Sequence, residues 1–240
     1  MVPKIDAIIA GKSRTRQEVQ TWEDRRASAV MRKLSVDGPN MSRLERRRAL
    51  LARKLALGQG GIRETLRREL SWSARIARLT ATLSGGRRKL STCDLVVGRG
   101  SADAFCEWFR ERTRQGDEPP MLDASPDHYI IATGSDGKQV VVETTGGAPF
   151  ASEFVIDYSD SRAIQTALDP TCPIRIIGTA RLKDGVIAGG VCHQFRQEGE
   201  GFRAKLSVEF PMMILPYMIA EHRWHLAAEF SNWIEAASAS

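Results

Sequence analysis

The change of hydrophobic period at His128 constrains this chain's fold more than any other feature. From there on, apolar residues alternate in short runs separated by turn residues, the pattern of half-buried strands. "HYIIATG" and "KQVVVETT" flank "SDGK", where Asp-Gly can supply the positive φ values of a tight hairpin turn. "FASEFVIDY" is a third strand, and "SDSRAIQTAL" reads as a short helix capped by Ser159. "IRIIGTARL" and "VIAGGVCHQF" form a second hairpin across Lys183-Asp184-Gly185, and "FRAKLSVEF" follows. Gly189-Gly190 inside a strand predicts a bend or bulge.

Strands joined by such tight turns pair antiparallel, and the apolar face of their sheet must be covered. The cover is a final helix from Pro216 to about Ala236, with Leu215, Met218, Ile219, Leu226, Phe230 and Trp233 on one stripe. Tyr217 and Trp224 point away from it, marking either a homo-oligomer contact or packing against the N-terminal helices.

The first 90 residues carry no convincing strand pattern and several helix boundaries. Thr15–Glu18 and Ser42–Glu45 fit capping boxes. The first helix carries Val19, Trp22, Val30, Met31 and Leu34 and is ended by "VDGPN". A second runs from Ser42 to Gln59-Gly60-Gly61. A third runs from Ile62 to Ser84, stopped by Gly85-Gly86, so the two should form an antiparallel hairpin. On the third, Ile62, Leu66, Leu70, Ile76, Leu79 and Leu83 share one half of the wheel and should be its buried face. Glu69 intrudes there, and the arginines take the other half. Leu95-Val96-Val97 is a short strand, a helix starts at Ser101, and "QGDEPPMLDASPD" is the best linker.

The expected fold is thus α+β: a basic helical region (1–90), a connecting strand, helix and Pro-rich linker (91–127), and an acidic domain (128–240). In that domain a curved six-stranded antiparallel sheet grips a long C-terminal helix. The element order over 93–236 resembles the helix-grip arrangement of START and Bet v 1-type ligand carriers. The resemblance implies a cavity between sheet and helix, lined by residues such as Phe154, Ile156, Ile177 and Phe230.

Charge supplies the functional hypothesis. Residues 1–90 hold 22 basic and 8 acidic side chains, and the rest hold 13 and 21, so +14 and −8 sum to +6. Such a basic zone calls for an anionic partner. Arg46, Arg47, Arg53, Arg63, Arg67, Arg68, Arg75 and Arg78 are the candidates for phosphate contact, since the guanidinium fork matches phosphate oxygens. The alternatives are an acidic protein surface, a solvated face with pairs such as Glu64–Arg68, or masking by the acidic half. No base-reading motif is present, so backbone contact without sequence reading is expected.

No apolar run approaches the length of a membrane span, and the first residues are too weak for a secretory signal. Cys93, Cys106, Cys172 and Cys192 make no CxxC pair and read as reduced thiols, which points to the cytoplasm. No nucleophile elbow or phosphate loop occurs, and Glu143 lacks the lysine of an E-x-K arrangement. On the last helix His222, His225 and Glu229 fall within about 60° of one another, and Cys192-His193 could approach from the sheet to complete a metal site. A simpler reading is a His225–Glu229 hydrogen bond. The leading expectation is a non-enzymatic nucleic-acid-binding or regulatory protein without cofactor. A scaffold docking on an acidic partner is one alternative, and a ligand carrier or enzyme using the sheet–helix cavity is another.

Overall fold

The computed structural model describes residues 2–38 and 40–239; Pro39, part of the expected helix stop "VDGPN", lies outside the described residues. It contains strands β1 (Ile5–Ile9), β2 (Lys12–Thr15), β3 (Arg88–Val97), β4 (His128–Thr133), β5 (Gln139–Glu143), β6 (Ser152–Asp157), β7 (Ile174–Arg181), β8 (Ile187–Glu198) and β9 (Gly201–Pro211). The helices are α1 (Arg16–Lys33), α2 (Arg43–Thr65), α3 (Arg67–Ser84), α4 (Ala102–Gln115), α5 (Glu118–Asp123) and α6 (Pro216–Ala239). The strands form one antiparallel sheet of nine, in the order β2-β1-β3-β9-β8-β7-β6-β5-β4.

The expected six strands are there, and three more extend their sheet. β1 and β2 lie in the stretch read as purely helical. Ile5, Ala7 and Ile9 alternate inward, and Ala10 and Gly11 turn the hairpin with φ of 51° and 76°. β3 runs to ten residues because its full length pairs with β9. Both capping boxes form as expected. The helix does not stop at Gly60-Gly61. It kinks at Gly58, where φ is 58°, and the break before α3 falls at Leu66. The Pro-rich stretch forms α5: proline is tolerated in a first turn, where its missing N–H costs nothing, and Met121 and Leu122 are buried. The segment 159–168 is not helical. Glu209, buried in the sheet, accepts from the backbone N–H groups of Gln165 and Thr166, which ties the segment down as an irregular strap.

α6 lies on the sheet, with β1 and β3 beneath it and α1, α4 and α5 over its other side. That sandwich explains why it is buried nearly all round between His225 and Ile234 rather than along one stripe. The core between α4, α6 and the sheet is aromatic: Phe105, Phe109, Phe195, Phe202, Phe230 and Trp233 stack at ring-centroid distances of 5.1 to 6.3 Å. Each such fully buried large side chain is worth roughly 1.5–3 kcal/mol. A second, smaller core joins α1 and α2 to Tyr129, Ile130 and Val142. Over residues 88–239 the element order is one strand, two helices, six strands and a helix, with α5 as the second helix. At Ala188 the β7–β8 register slips by one residue beside Gly189-Gly190, the predicted bulge. A Cβ on Gly189 would sit 1.8 Å from the Glu209 carbonyl oxygen, so only glycine fits there.

The third helix departs most from expectation. Ile62 and Leu66 are buried and Leu70 is half-buried, but Trp72, Ile76, Leu79 and Leu83 face solvent. The inward residues of α3 are small: Ser73, Ala81 and Ser84. They let the helix sit close against β6, β8 and β9, so the helix is rotated relative to its hydrophobic stripe.

Candidate metal centre in an apolar cavity

The β4–β5 hairpin builds one half of the site. From its turn the register runs Thr133 opposite Gln139 to Ile130 opposite Val142, then slips so that His128 opposes Glu143. Tyr129 is the extra residue of this bulge. It and Ile130 both enter the second core, while His128 and Ile131 face the cavity. The segment before His128 is held from the N-terminal helices. Arg26 forks onto the fully buried Asp127 carboxylate with two bonds of 2.7 Å. Lys54, buried and with its pKa pushed down to about 7 by desolvation, donates to the carbonyls of Leu122 (3.4 Å) and Ser125 (3.1 Å). His128 Nδ1 lies 3.1 Å from the Met121 carbonyl oxygen. A carbonyl can only accept, so Nδ1 carries a proton and Nε2 is the ring nitrogen turned to the interior.

α6 builds the other half. His225 and Glu229, one turn apart, face the hairpin. His225 Nε2 is 3.2 Å from His128 Nε2, and Glu229 Oε2 is 3.1 Å from the latter and 3.5 Å from the former. Glu143 Oε2 stands 3.8 Å from His128 Nε2 and 3.7 Å from His225 Nε2. Its other oxygen accepts from Thr145 Oγ1 at 3.0 Å, which fixes the carboxylate. One ligand atom each of His128, Glu143 and His225 lies within 4.8 Å of the others. Metal–nitrogen bonds of about 2.0–2.1 Å at a tetrahedral angle put two nitrogens about 3.3–3.4 Å apart, close to the observed separation. The donors thus fit a divalent ion such as zinc, with Glu229 as fourth ligand or as base to a bound water.

The turn Thr145–Gly147 brings Glu143 up to α6. Gly146 has φ of 52°, and a Cβ there would lie 2.4 Å from the Met218 carbonyl oxygen and 2.7 Å from His222 Cβ. Gly146→Ala is therefore expected to cost about 1–3 kcal/mol from backbone strain alone and more from the clash. Denaturant unfolding checks the cost, and an unchanged midpoint would show that the turn does not need this close approach.

Electrostatics fit a cation. Burial lowers the pKa of His225, but the carboxylates of Glu229 and Glu143 outweigh that and raise it to about 9. Glu229 is likewise buried, yet His225 and His128 hold its carboxyl well below the usual range, whereas burial raises that of Glu143. Without metal, a proton on His225 takes the cation's place. A folded-state pKa raised this way stabilises the fold fully below about pH 6.5, and the stabilisation is lost as pH rises through about 9. The metal-free protein should accordingly melt lower at about pH 9.5 than at about pH 7.5. The zinc-loaded protein should change less, because the metal keeps Nε2 deprotonated. Equal pH profiles for the two forms would contradict this assignment.

The cluster lies in the wall of a cavity of about 300 Å³. Phe154, Ile156, Tyr158, Phe230 and Trp233 make its walls apolar, and α3 and the loops at Phe150 and Leu215 frame its mouth. Of the residues expected there, Phe154, Ile156 and Phe230 are present. Ile177 pairs with Cys192 on the opposite face of β7 and β8. Cys192 for that reason does not reach the metal cluster. His222 and His193 line the cavity without joining the ligand set. His222 Nδ1 meets Ser91 Oγ at 3.0 Å, and His193 packs on Phe230 with a buried, partnerless Nδ1. Burial keeps both neutral, at about 3 and about 4. Of the sequence candidates the structure unites His225 and Glu229, and it adds His128 and Glu143.

The arginines divide into two groups. Arg46 pairs with Asp24, Arg47 with Asp123 and Asn232, Arg53 with the Leu34 carbonyl, and Arg63 with Glu153. Arg67 and Arg78 are largely exposed with one acidic neighbour each, Arg75 lies over Trp72, and Arg68 is exposed. Trp224 is packed at the core's edge under Arg14, and Tyr217 is exposed at the cavity mouth. Among the described residues no helix is long and apolar enough to cross a membrane. No protein-family model matches the chain, and no curated protein matches it.

Proposed function

We propose that this chain is a metal-dependent enzyme that hydrolyses a small, mostly apolar molecule at a carbonyl group. The observation that carries the reading is the convergence of two imidazoles and two carboxylates on one point in the wall of an apolar cavity. Two buried carboxylates are costly unless their charge is matched, and a divalent cation matches it. When bound, such an ion polarises a carbonyl and lowers the pKa of a coordinated water to about 7. His128, His225 and Glu143 would hold it, each with its outer atom already engaged or buried. Glu229, kept ionised, is placed to take a proton from a water on the ion. His193 offers a neutral ring nitrogen without a protein partner, suited to a polar group on the bound molecule. The aromatic walls exclude bulk water and select apolar substrates.

The test is elemental analysis of protein purified without chelator, combined with hydrolysis of p-nitrophenyl acyl esters of increasing chain length. The reading predicts one ion per chain, activity removed by chelation and restored by zinc, and loss of both metal and activity in His225→Ala. Absence of stoichiometric metal after zinc loading, or activity indifferent to chelation, would reject it.

A further inference from the structure

The exposed face of α3 is the largest feature that the metal centre leaves unused. Trp72, Ile76, Leu79 and Leu83 are 57, 47, 59 and 58% exposed. At 100° per residue they form one stripe about 60° wide. The turn after β9 continues the patch: the Met213 N–H bonds to Ser84 Oγ at the end of α3, and Met213, Leu215 and Tyr217 are each about half exposed. Beside the apolar stripe runs a row of Arg67, Arg68, Arg75 and Arg78. The one acidic residue of α3, Glu69, is turned inward to Lys33 at 2.7 Å. Arg67 and Arg78 are each met by one acidic side chain from a neighbouring segment, Glu64 at 3.4 Å and Asp184 at 2.8 Å, so the unpaired positive charge of the face is that of Arg68 and Arg75. Ile76, Leu215 and Tyr217 belong both to this patch and to the cavity lining, so the cavity opens within it.

We infer that this face docks on an anionic lipid surface, with the cavity mouth against the bilayer. An apolar stripe with a tryptophan, bordered by arginines, is the composition of a helix lying in a membrane interface. There the side chains enter the acyl boundary while guanidinium groups meet headgroup phosphates. Phosphate contact by nucleic acid would use the arginines but strand the apolar residues in water. A twofold contact with a second copy would lay each arginine row beside its equivalent, with no acidic side chain of either α3 turned outward to offset the repulsion. An apolar molecule dissolved in the bilayer would then reach the cavity without crossing water. The inference uses the cavity mouth but not the metal, so the two readings can fail separately.

The experiment is co-sedimentation of the full chain with phosphatidylcholine vesicles, with and without phosphatidylglycerol, over a salt series. Binding is expected to require the anionic lipid and to weaken with salt. Leu79→Glu/Leu83→Glu, two changes at exposed positions, is expected to lose at least about tenfold in affinity while keeping the circular dichroism spectrum and zinc content of the parent. No binding at low salt, or binding unaffected by the double substitution, would overturn the inference. So would a concentration-dependent dimer that the substitution dissolves, or duplex DNA binding that depends on Arg68 and Arg75 but survives the substitution.

Discussion

Replacing Arg26 by alanine is expected to destabilise the protein by about 3–5 kcal/mol, the cost of leaving one partner of a buried pair uncompensated. Asp127 has no exposed side-chain surface, and both of its oxygens accept from Arg26. Without the guanidinium its carboxylate must take up a proton or draw in water, and either loosens the backbone that sets His128. Metal affinity should fall with stability, although Arg26 touches no ligand atom. Outer-shell partners of metal ligands are typically worth about 10–100-fold in affinity. Arg26→Lys keeps the charge but not the fork, so it should recover only part of both losses. Urea unfolding and zinc titration measure the two effects. Full stability with unchanged zinc affinity in Arg26→Ala would mean that the N-terminal helices do not position the site.

The second large effect concerns the ligands themselves. His128→Ala and His225→Ala should each reduce zinc affinity by more than the about 100-fold at which outer-shell effects end. His193→Gln should leave it near the parent value, since His193 lines the cavity outside the cluster. Both alanine variants leave Glu229 without one of its two imidazole neighbours, so their metal-free stability must be measured alongside. A variant that folds yet binds no metal separates the ligand role from the structural one. Equal affinity loss in the His193 variant would indicate that the metal sits elsewhere in the cavity.

How much of this was legible in the sequence depends on the physical signal each part leaves. His225 and Glu229 were visible because helical spacing places residues i and i+4 on one face whatever surrounds the helix. His128 and Glu143 were not, although they begin and end a hairpin whose turn was legible. Strict alternation through Tyr129 would turn His128 away from the cavity, and only the bulge brings it back. Bulges of this kind follow from packing of the second core, which alternation does not encode. β1 carried a period-2 signal in Ile5, Ala7 and Ile9, but its partner Lys12–Thr15 is wholly polar and short, so the hairpin was hidden.

The arginine-rich stretch teaches a different lesson. Periodicity shows that a helix has two faces, and it does not say which of them the rest of the chain covers. In α3 the covered face is the small-residue one, so both the arginines and the leucines remain outside. In α1 and α2 the basic side chains largely serve the fold. Arg26 and Lys54 fix the approach to His128, and Arg16, Arg46 and Arg47 meet Glu235, Asp24 and Asp123. Charge is thus spent internally, between the two halves in Arg16–Glu235, Arg26–Asp127 and Arg47–Asp123 and within the first in Arg46–Asp24. That use needs no external anion, and it leaves Arg68 and Arg75 on the outer row of α3 open to one.

The most direct test of the metal centre is an anomalous difference map from crystals of the zinc-loaded protein, recorded on both sides of the zinc absorption edge. The account predicts one peak between α6 and the β4–β5 hairpin, about 2.0–2.3 Å from His128 Nε2 and His225 Nε2 and within bonding reach of a Glu143 or Glu229 oxygen. A map without a peak there, from crystals that carry zinc elsewhere or none at all, would contradict it.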